Sequence, residues 1–225
     1  AVGLFPCAAA GIPIGDMIEG AAVALKSFTK DHEMNAAVLY AALRHVLHRS
    51  GAAIEVLSTF HPELSSLCEW WKQLAGESEG KGGSGLFPAS AVMTTDLHSL
   101  GQYLQEGSRN LFETFLAAAA TRADIVVPRG ADDLDGLDYL AGRHLGQVNR
   151  TAFEGTREAH AAGGIPVLTL TMDAISPRSL GELFVFFEIA IAVSARLLGV
   201  NPFDQPGVEE YKRRMFNLLG RPEKA

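Results

Sequence analysis

The stretch TAFEGTREAHAAGGIPVLTLTMDAISPRSLGELFVFFEIAIAVSARLLG, residues 151 to 199, decides the fold class. Its first part, residues 151 to 164, has helical spacing and stops on a glycine pair, the usual punctuation of a helix C-terminus. IPVLTLTM, residues 165 to 172, is short, apolar and β-branched, and reads as a strand. SLGELFVFFEIAIAVSARLLG, residues 179 to 199, is apolar over most of its circumference and predicts a long buried helix. Residues 183 to 200 come nearest to a membrane span, but they carry Glu188 and Arg196 and are barely long enough. Helix, strand, helix is the rhythm of a βαβ protein.

Reading outward extends that rhythm. Residues 16 to 28 and 34 to 49 have helical spacing, and Gly51 closes the second. Residues 52 to 60 read as a buried strand, 63 to 76 as a helix, and 86 to 92 as a strand. Residues 96 to 107 predict a helix capped by Thr95 or Asp96 and stopped at Gly107. The pattern of residues 110 to 119 fits helix and strand equally; 123 to 128 reads as a strand, and DDLDGLDYLAGR as a turn leading into a helix. Strands alternating with helices predict an α/β fold, a three-layer α/β/α sandwich around a mostly parallel sheet. Neither a repeat nor a linker divides residues 1 to 225. In such sheets ligands gather beyond the carboxyl ends of the strands, so the loops after residues 60, 76 and 92 are where chemistry is expected.

Composition narrows the function. Hydrophobic residues make up 48% of the 225-residue chain and charged residues 20%, values of a globular protein. A formal charge of −7 argues against nucleic acid or an anionic membrane as partner. The apolar start, AVGLFPCAAAGIPIG, lacks the basic region of a signal peptide and is interrupted by Pro6 and Pro13. Cys7 and Cys68 make no disulfide framework and lack metal-ligand spacing, which points to a reducing, cytoplasmic setting. His45 and His48 are three apart on one helix and His32 lies between Asp31 and Glu33, and none of these makes a zinc geometry. No metal or cofactor is expected.

Three places carry candidate chemistry. In NPFDQPGVEEYKRRMFNLLG, residues 201 to 220, Asp204 suits an N-cap and Pro206 the first helical turn. Helical projection puts Lys212 inside an arc shared by Val208, Tyr211, Met215, Phe216, Leu218 and Leu219. A lysine there must snorkel, find a charged partner or shift its ionisation. In GESEGKGGSG, residues 76 to 85, the order of a P-loop is missing, and the run reads either as a flexible turn or as the setting of Glu77. Glu77 closes a predicted helix, where the negative helix end and partial burial would make its carboxyl a better base. His98, in TTDLHS, falls in a first helical turn, either simply packed or as a proton acceptor.

The same residues carry a family resemblance. FDQPGVEEYK (203–212) resembles the C-terminal signature of the glucose-6-phosphate isomerase family. WWKQLAGESEGK (70–81) is similar to the family segment with the catalytic glutamate, and FPASAVMTTDLHSLGQYLQEG (87–107) to that with the ring-opening histidine. LDGLDYLAG and TAFEGTREAH also read like intervening family sequence, and the match runs through the chain in family order. The resemblance implies a sugar-isomerase-type fold, a phosphorylated hexose as substrate and a homodimer. It implies Glu77 as the base that moves a proton between C2 and C1 through a cis-enediolate. It further implies His98 as the ring-opening residue supplied to the neighbouring subunit's site, Lys212 at the ring oxygen, and Gln73 and Gln205 on the sugar. Members are about twice this length, so the chain is expected to be a carboxyl-terminal half. The phosphate pocket and an arginine in a GGR[FY]S motif would lie upstream, and this half alone would be nearly inactive. The alternative is a sugar-phosphate-binding module of the same fold without catalysis.

Overall fold

Among the described residues, four strands form one all-parallel sheet: β1 (Ile54–Thr59), β2 (Phe87–Val92), β3 (Leu111–Ala120) and β4 (Val167–Ala174), in the order β2-β1-β3-β4. The computed structural model describes residues 3–29, 35–120, 124–130 and 132–221. The helices are α1 (Leu4–Ala9), α2 (Ile14–Phe28), α3 (Ala36–Arg49), α4 (Ser65–Glu79), α5 (Met93–Asp96), α6 (Gly101–Glu106), α7 (Leu145–Ala162), α8 (Pro177–Leu197) and α9 (Pro206–Leu218).

Alternation along the strands sorts the core into two halves. Leu57 and Leu116 face α3, α4 and α8, where they meet Tyr40, Trp71, Phe187 and Ile191. Val56, Leu111 and Phe115 face the other way, towards Leu104 of α6 and Phe153 of α7. The three-layer sandwich expected from the sequence is what the chain forms. α8 packs at the centre of this layer because one broad face, with Leu183, Phe186, Phe187, Ala190 and Ile191, is buried, while Arg178, Glu188 and Arg196 lie on its exposed side. It takes α2 along one side through paired glycines. A Cβ on Gly20 would collide with the Arg178 carbonyl, and one on Gly181 with the Met17 carbonyl.

Several local expectations need correction. The ambiguous residues 110–119 form β3, which lies between β1 and β4 and is buried on both faces, so it has no alternation to read. The expected strand at 123–128 does not join the sheet: Val126 makes a single antiparallel bridge to His144, Ile125 is exposed, and residue 123 lies outside the described residues. The helix expected over 96–107 is two short pieces, α5 and α6. Its intended cap turns backwards, since the Asp96 carboxylate accepts from the Val92 backbone N–H (2.7 Å) and the Ser99 hydroxyl (2.9 Å). DDLDGLDYLAGR yields only a turn of 3-10 helix at Asp138–Leu140, while α7 starts at Leu145, earlier than expected. His32 falls outside the described residues.

No helix among the described residues is long and apolar enough to cross a membrane. Nor do they contain a group of three or more His, Cys, Asp or Glu residues able to hold a metal ion.

Candidate active site

The position of Glu77 is set by a buried ion cluster beneath it. Glu79, two residues on, is fully buried, and its carboxylate takes both Arg44 terminal nitrogens, at 2.5 and 3.0 Å. Arg44 also donates to Glu55 on β1 (2.6 Å) and to the Ser194 hydroxyl on α8 (2.8 Å). Glu55 in turn accepts from Thr114 (2.7 Å) and from the Tyr40 hydroxyl. Burial works against the Arg44 charge, but Glu55 and Glu79 outweigh it and drive its pKa well above the guanidinium range. Burial, with the Glu55 charge, pushes the Tyr40 phenol well up. Every polar atom of this cluster has a partner, which locks the last turn of α4 against α3, β1 and α8.

On that turn, Glu77 points outward. Its Oε1 accepts from Gln73 Nε2 one turn earlier (3.1 Å) and its Oε2 from Gln205 Nε2 (2.5 Å), so two amides cradle both carboxylate oxygens. The partial burial expected for Glu77 is absent: Glu77, Gln73 and Gln205 are all exposed. Beside Gln73, between α4 and β2, an open groove of about 560 Å³ is lined by Lys72, Gly76, Gly80, Phe87 and Pro88.

Lys212 lies seven residues beyond Gln205, about 10 Å along the axis of α9. The expected costly burial is not found. α9 buries none of its residues, and Tyr211, Met215, Leu218 and Leu219 are exposed. Lys212 is 43% exposed and pairs with Glu209 at 3.2 Å, an exposed pair of small energetic consequence. Asp204 is not the cap of α9: the N-cap position is Gln205, without a side-chain cap, and Asp204 binds Lys81 instead (3.1 Å).

The loop carrying His98 stands at the other edge of the sheet. Glu77 lies before the start of β2, His98 after its end, and a six-residue strand spans about 20 Å. His98 is exposed on a cavity of about 690 Å³ at the carboxyl ends of the strands, shared with Phe60, His61, Met93, Ala120 and Ile175. The loop after residue 76 was expected at this carboxyl edge. It lies at the amino edge, because α4 runs antiparallel to the strands it connects. Within one chain, then, Glu77, Gln73 and Gln205 come together and His98 does not join them.

The phosphoglucose isomerase family profile matches residues 1–221. The chain belongs to the phosphoglucose isomerase family. A glucose-6-phosphate isomerase of Symbiobacterium thermophilum is 55% identical over 223 residues, covering 99% of this chain and 50% of that protein. One from Caldanaerobacter subterraneus is 53% identical, covering 99% of this chain and 49% of its own length. The chain thus spans about half the length of the curated relatives it matches. Among solved structures, a hypothetical protein of Thermus thermophilus superposes with a TM-score of 0.92 at 30% identity, over 97% of this chain and 53% of that one. A glucose-6-phosphate isomerase of Chlamydia trachomatis shares the fold, with a TM-score of 0.76 at 20% identity over 92% of this chain and 43% of that one.

Sequence reading missed Arg44 and Glu79, which fix the turn carrying Glu77, and Lys81, which pairs with Asp204 beside Gln205. The only local signal was a lone lysine among glycines; its partners, Asn201 and Asp204, are some 120 residues away.

Proposed function

We propose that this chain is the carboxyl-terminal half of an aldose–ketose isomerase that interconverts glucose 6-phosphate and fructose 6-phosphate. The observation that carries the reading is the double amide cradle on Glu77, built from the two motifs that resemble the family's site. A carboxylate held on both oxygens is aimed, yet keeps lone pairs with which to take a proton. Glu77 removes the C2 proton of the open-chain aldose, leaving a cis-enediolate, and returns it to C1; a proton exchange between O1 and O2 completes the ketose. Gln73 and Gln205 orient both the base and the sugar hydroxyls. Lys212 supports ring opening at the ring oxygen and lends positive charge to the enediolate.

His98 serves the site of a second subunit in this reading, since a strand's length separates it from Glu77 in its own chain. That requires a homodimer. The phosphate pocket belongs to a second, amino-terminal domain outside residues 1–225, which here form a sugar-isomerase-type domain with a helical extension, acting in the cytoplasm in glycolysis and gluconeogenesis. Phosphate binding holds the reacting carbons over Glu77, so the half-chain alone turns over little or no substrate.

The test is Glu77→Gln in the full-length protein that carries this sequence, followed by a coupled assay in both directions. Turnover is expected to fall by about 10²- to 10⁴-fold with the fold intact. A variant that isomerises at the wild-type rate overturns the assignment.

A further inference from the structure

Helix α9 presents a physical puzzle: it buries none of its residues, yet its N-cap residue, Gln205, reaches Glu77 with a short hydrogen bond. Packing of the helix cannot aim Gln205, so something else must hold the segment before it. Lys81 does. Its side chain is only 10% exposed, and Nζ donates to the Asn201 carbonyl oxygen and pairs with Asp204 Oδ1 at 3.1 Å. This hydrogen bond holds the Asp204 carboxyl below its usual range.

The loop that presents Lys81 is not the flexible turn its glycines suggest. The Lys81 N–H bonds the Glu79 carbonyl (2.8 Å) and the Ser84 N–H bonds the Lys81 carbonyl (3.0 Å). Gly85, at φ +104°, brings the chain back so tightly that a Cβ would sit 2.8 Å from the Glu79 carbonyl oxygen. Glu79 itself is clamped by Arg44. Lys81 therefore stands on the same fixed turn as Glu77 and grips the segment that delivers Gln205.

We propose that Lys81 is a positioning residue, a tether that fixes Gln205, and through it the start of the helix carrying Lys212, against Glu77. The inference rests on the isomerase reading above. It gives the glycine-rich loop a task distinct from binding substrate: the Lys81 ammonium is occupied by protein oxygens.

The test compares Lys81→Met, Lys81→Arg, Asp204→Ala and the Lys81→Met/Asp204→Ala double variant in the full-length protein, with Glu77→Gln as reference. Lys81→Met is expected to lower kcat by about 10- to 100-fold, the usual result of misplacing a reacting group by about 1 Å, with a smaller change in KM. Lys81→Arg recovers most of the loss, because it restores a cation with several donors. The double variant is no worse than Lys81→Met alone, since that change already removes the Asp204 contact together with the Asn201 one. A merely structural lysine would lower the melting temperature but leave kcat per folded molecule unchanged. Wild-type kcat and KM in Lys81→Met, or single effects that multiply in the double variant, overturn the proposal. Should Lys81→Met not fold, Asp204→Ala on the exposed side of the link carries the test, and wild-type kcat there overturns it equally. An active Glu77→Gln defeats the isomerase reading itself, whereas an inactive Glu77→Gln beside a fully active Lys81→Met defeats the tether alone.

Discussion

Gln205 donates its side-chain amide to the Glu77 carboxylate at 2.5 Å, across a sequence separation of 128 residues. The bond joins the end of the helix after β1 to the start of the last helix, and it brings together the two segments that most resemble the family's site. It also constrains both partners. Gln205 cannot turn towards solvent without releasing the carboxylate, and Glu77 then keeps only its neighbour Gln73 on the same helix.

Replacing Gln205 by leucine should therefore weaken catalysis more than stability. A hydrogen bond to a charged group contributes about 1.5–3 kcal/mol, and exposure of this pair puts the expectation at the lower end, about ten-fold in kcat/KM. Urea unfolding should be nearly unchanged, because α9 buries no residue. A Gln205→Leu protein with wild-type kcat/KM means the contact is incidental to the reaction.

The buried cluster should respond in the opposite sense. Arg44 is the cation between Glu55 and Glu79, and all three side chains are fully buried. Arg44→Met strands two carboxylates in the core and is expected to cost about 3–5 kcal/mol. Removing the carboxylates as well, in Arg44→Met/Glu55→Leu/Glu79→Leu, should cost less than the single change, since no unpaired charge remains. Arg44→Lys cannot reproduce the bidentate grip on Glu79 and should fall between wild type and Arg44→Met. Denaturant midpoints of the three variants decide it, and a triple variant less stable than Arg44→Met contradicts the ordering.

These two networks also explain what the sequence could and could not disclose. Strand β1 and helices α3, α4 and α8 were readable because each is bounded by clear signals: Gly51, Pro62, or a long apolar circumference. The fold class followed from their alternation. β3 was ambiguous because its burial on both faces erases the period of two. Residues 123–128 misled because their composition is strand-like but the segment meets no partner strand beyond one bridge. The candidate glutamate, glutamines, lysine and histidine could be named from motif resemblance. Their relative placement could not, because it depends on which sheet edge each loop occupies. The apolar arc of α9 predicted a burial that the described residues do not supply. Nothing local marks Arg44 as a core residue; its role appears only when Glu55 and Glu79 arrive from other elements.

The contact between α2 and α8 offers a purely steric prediction. Gly20 and Gly181 let the two backbones touch, and a methyl at either position would meet a carbonyl oxygen of the facing helix. Alanine normally stabilises a helix interior relative to glycine by about 0.5–1 kcal/mol. Here the overlap is with backbone and cannot be relieved by a rotamer change, so the sign reverses. Gly181→Ala should destabilise by about 1–3 kcal/mol or more, and Gly155→Ala on α7, where a Cβ meets nothing within 4 Å, should not destabilise. Thermal melts of the pair are the measurement, and an unchanged Gly181→Ala melt means the helices are not in close contact.

His61 gives the protein a predictable sensitivity to acid. It sits just beyond β1, and its Nε2 accepts a hydrogen bond from the Ala118 backbone N–H at 3.2 Å, which only an unprotonated Nε2 can do. Burial lowers its pKa; Glu63 partly opposes this, and Arg150 adds to the lowering. With the folded value below the unfolded one, the unfolded chain takes up the proton first as pH falls. The stabilising contribution of neutral His61 is therefore complete above the unfolded value of about 6.5 and disappears as pH falls through the lower folded value. Protonation would also put a charge at the wall of the carboxyl-edge cavity and break the bond to β3, so the His98 side of the site should loosen together with the loss of stability. His61→Gln retains an acceptor that does not titrate. Urea midpoints measured from pH 7.5 down to pH 5 should fall less steeply for this variant than for wild type, and parallel curves would show that another group governs the acid response.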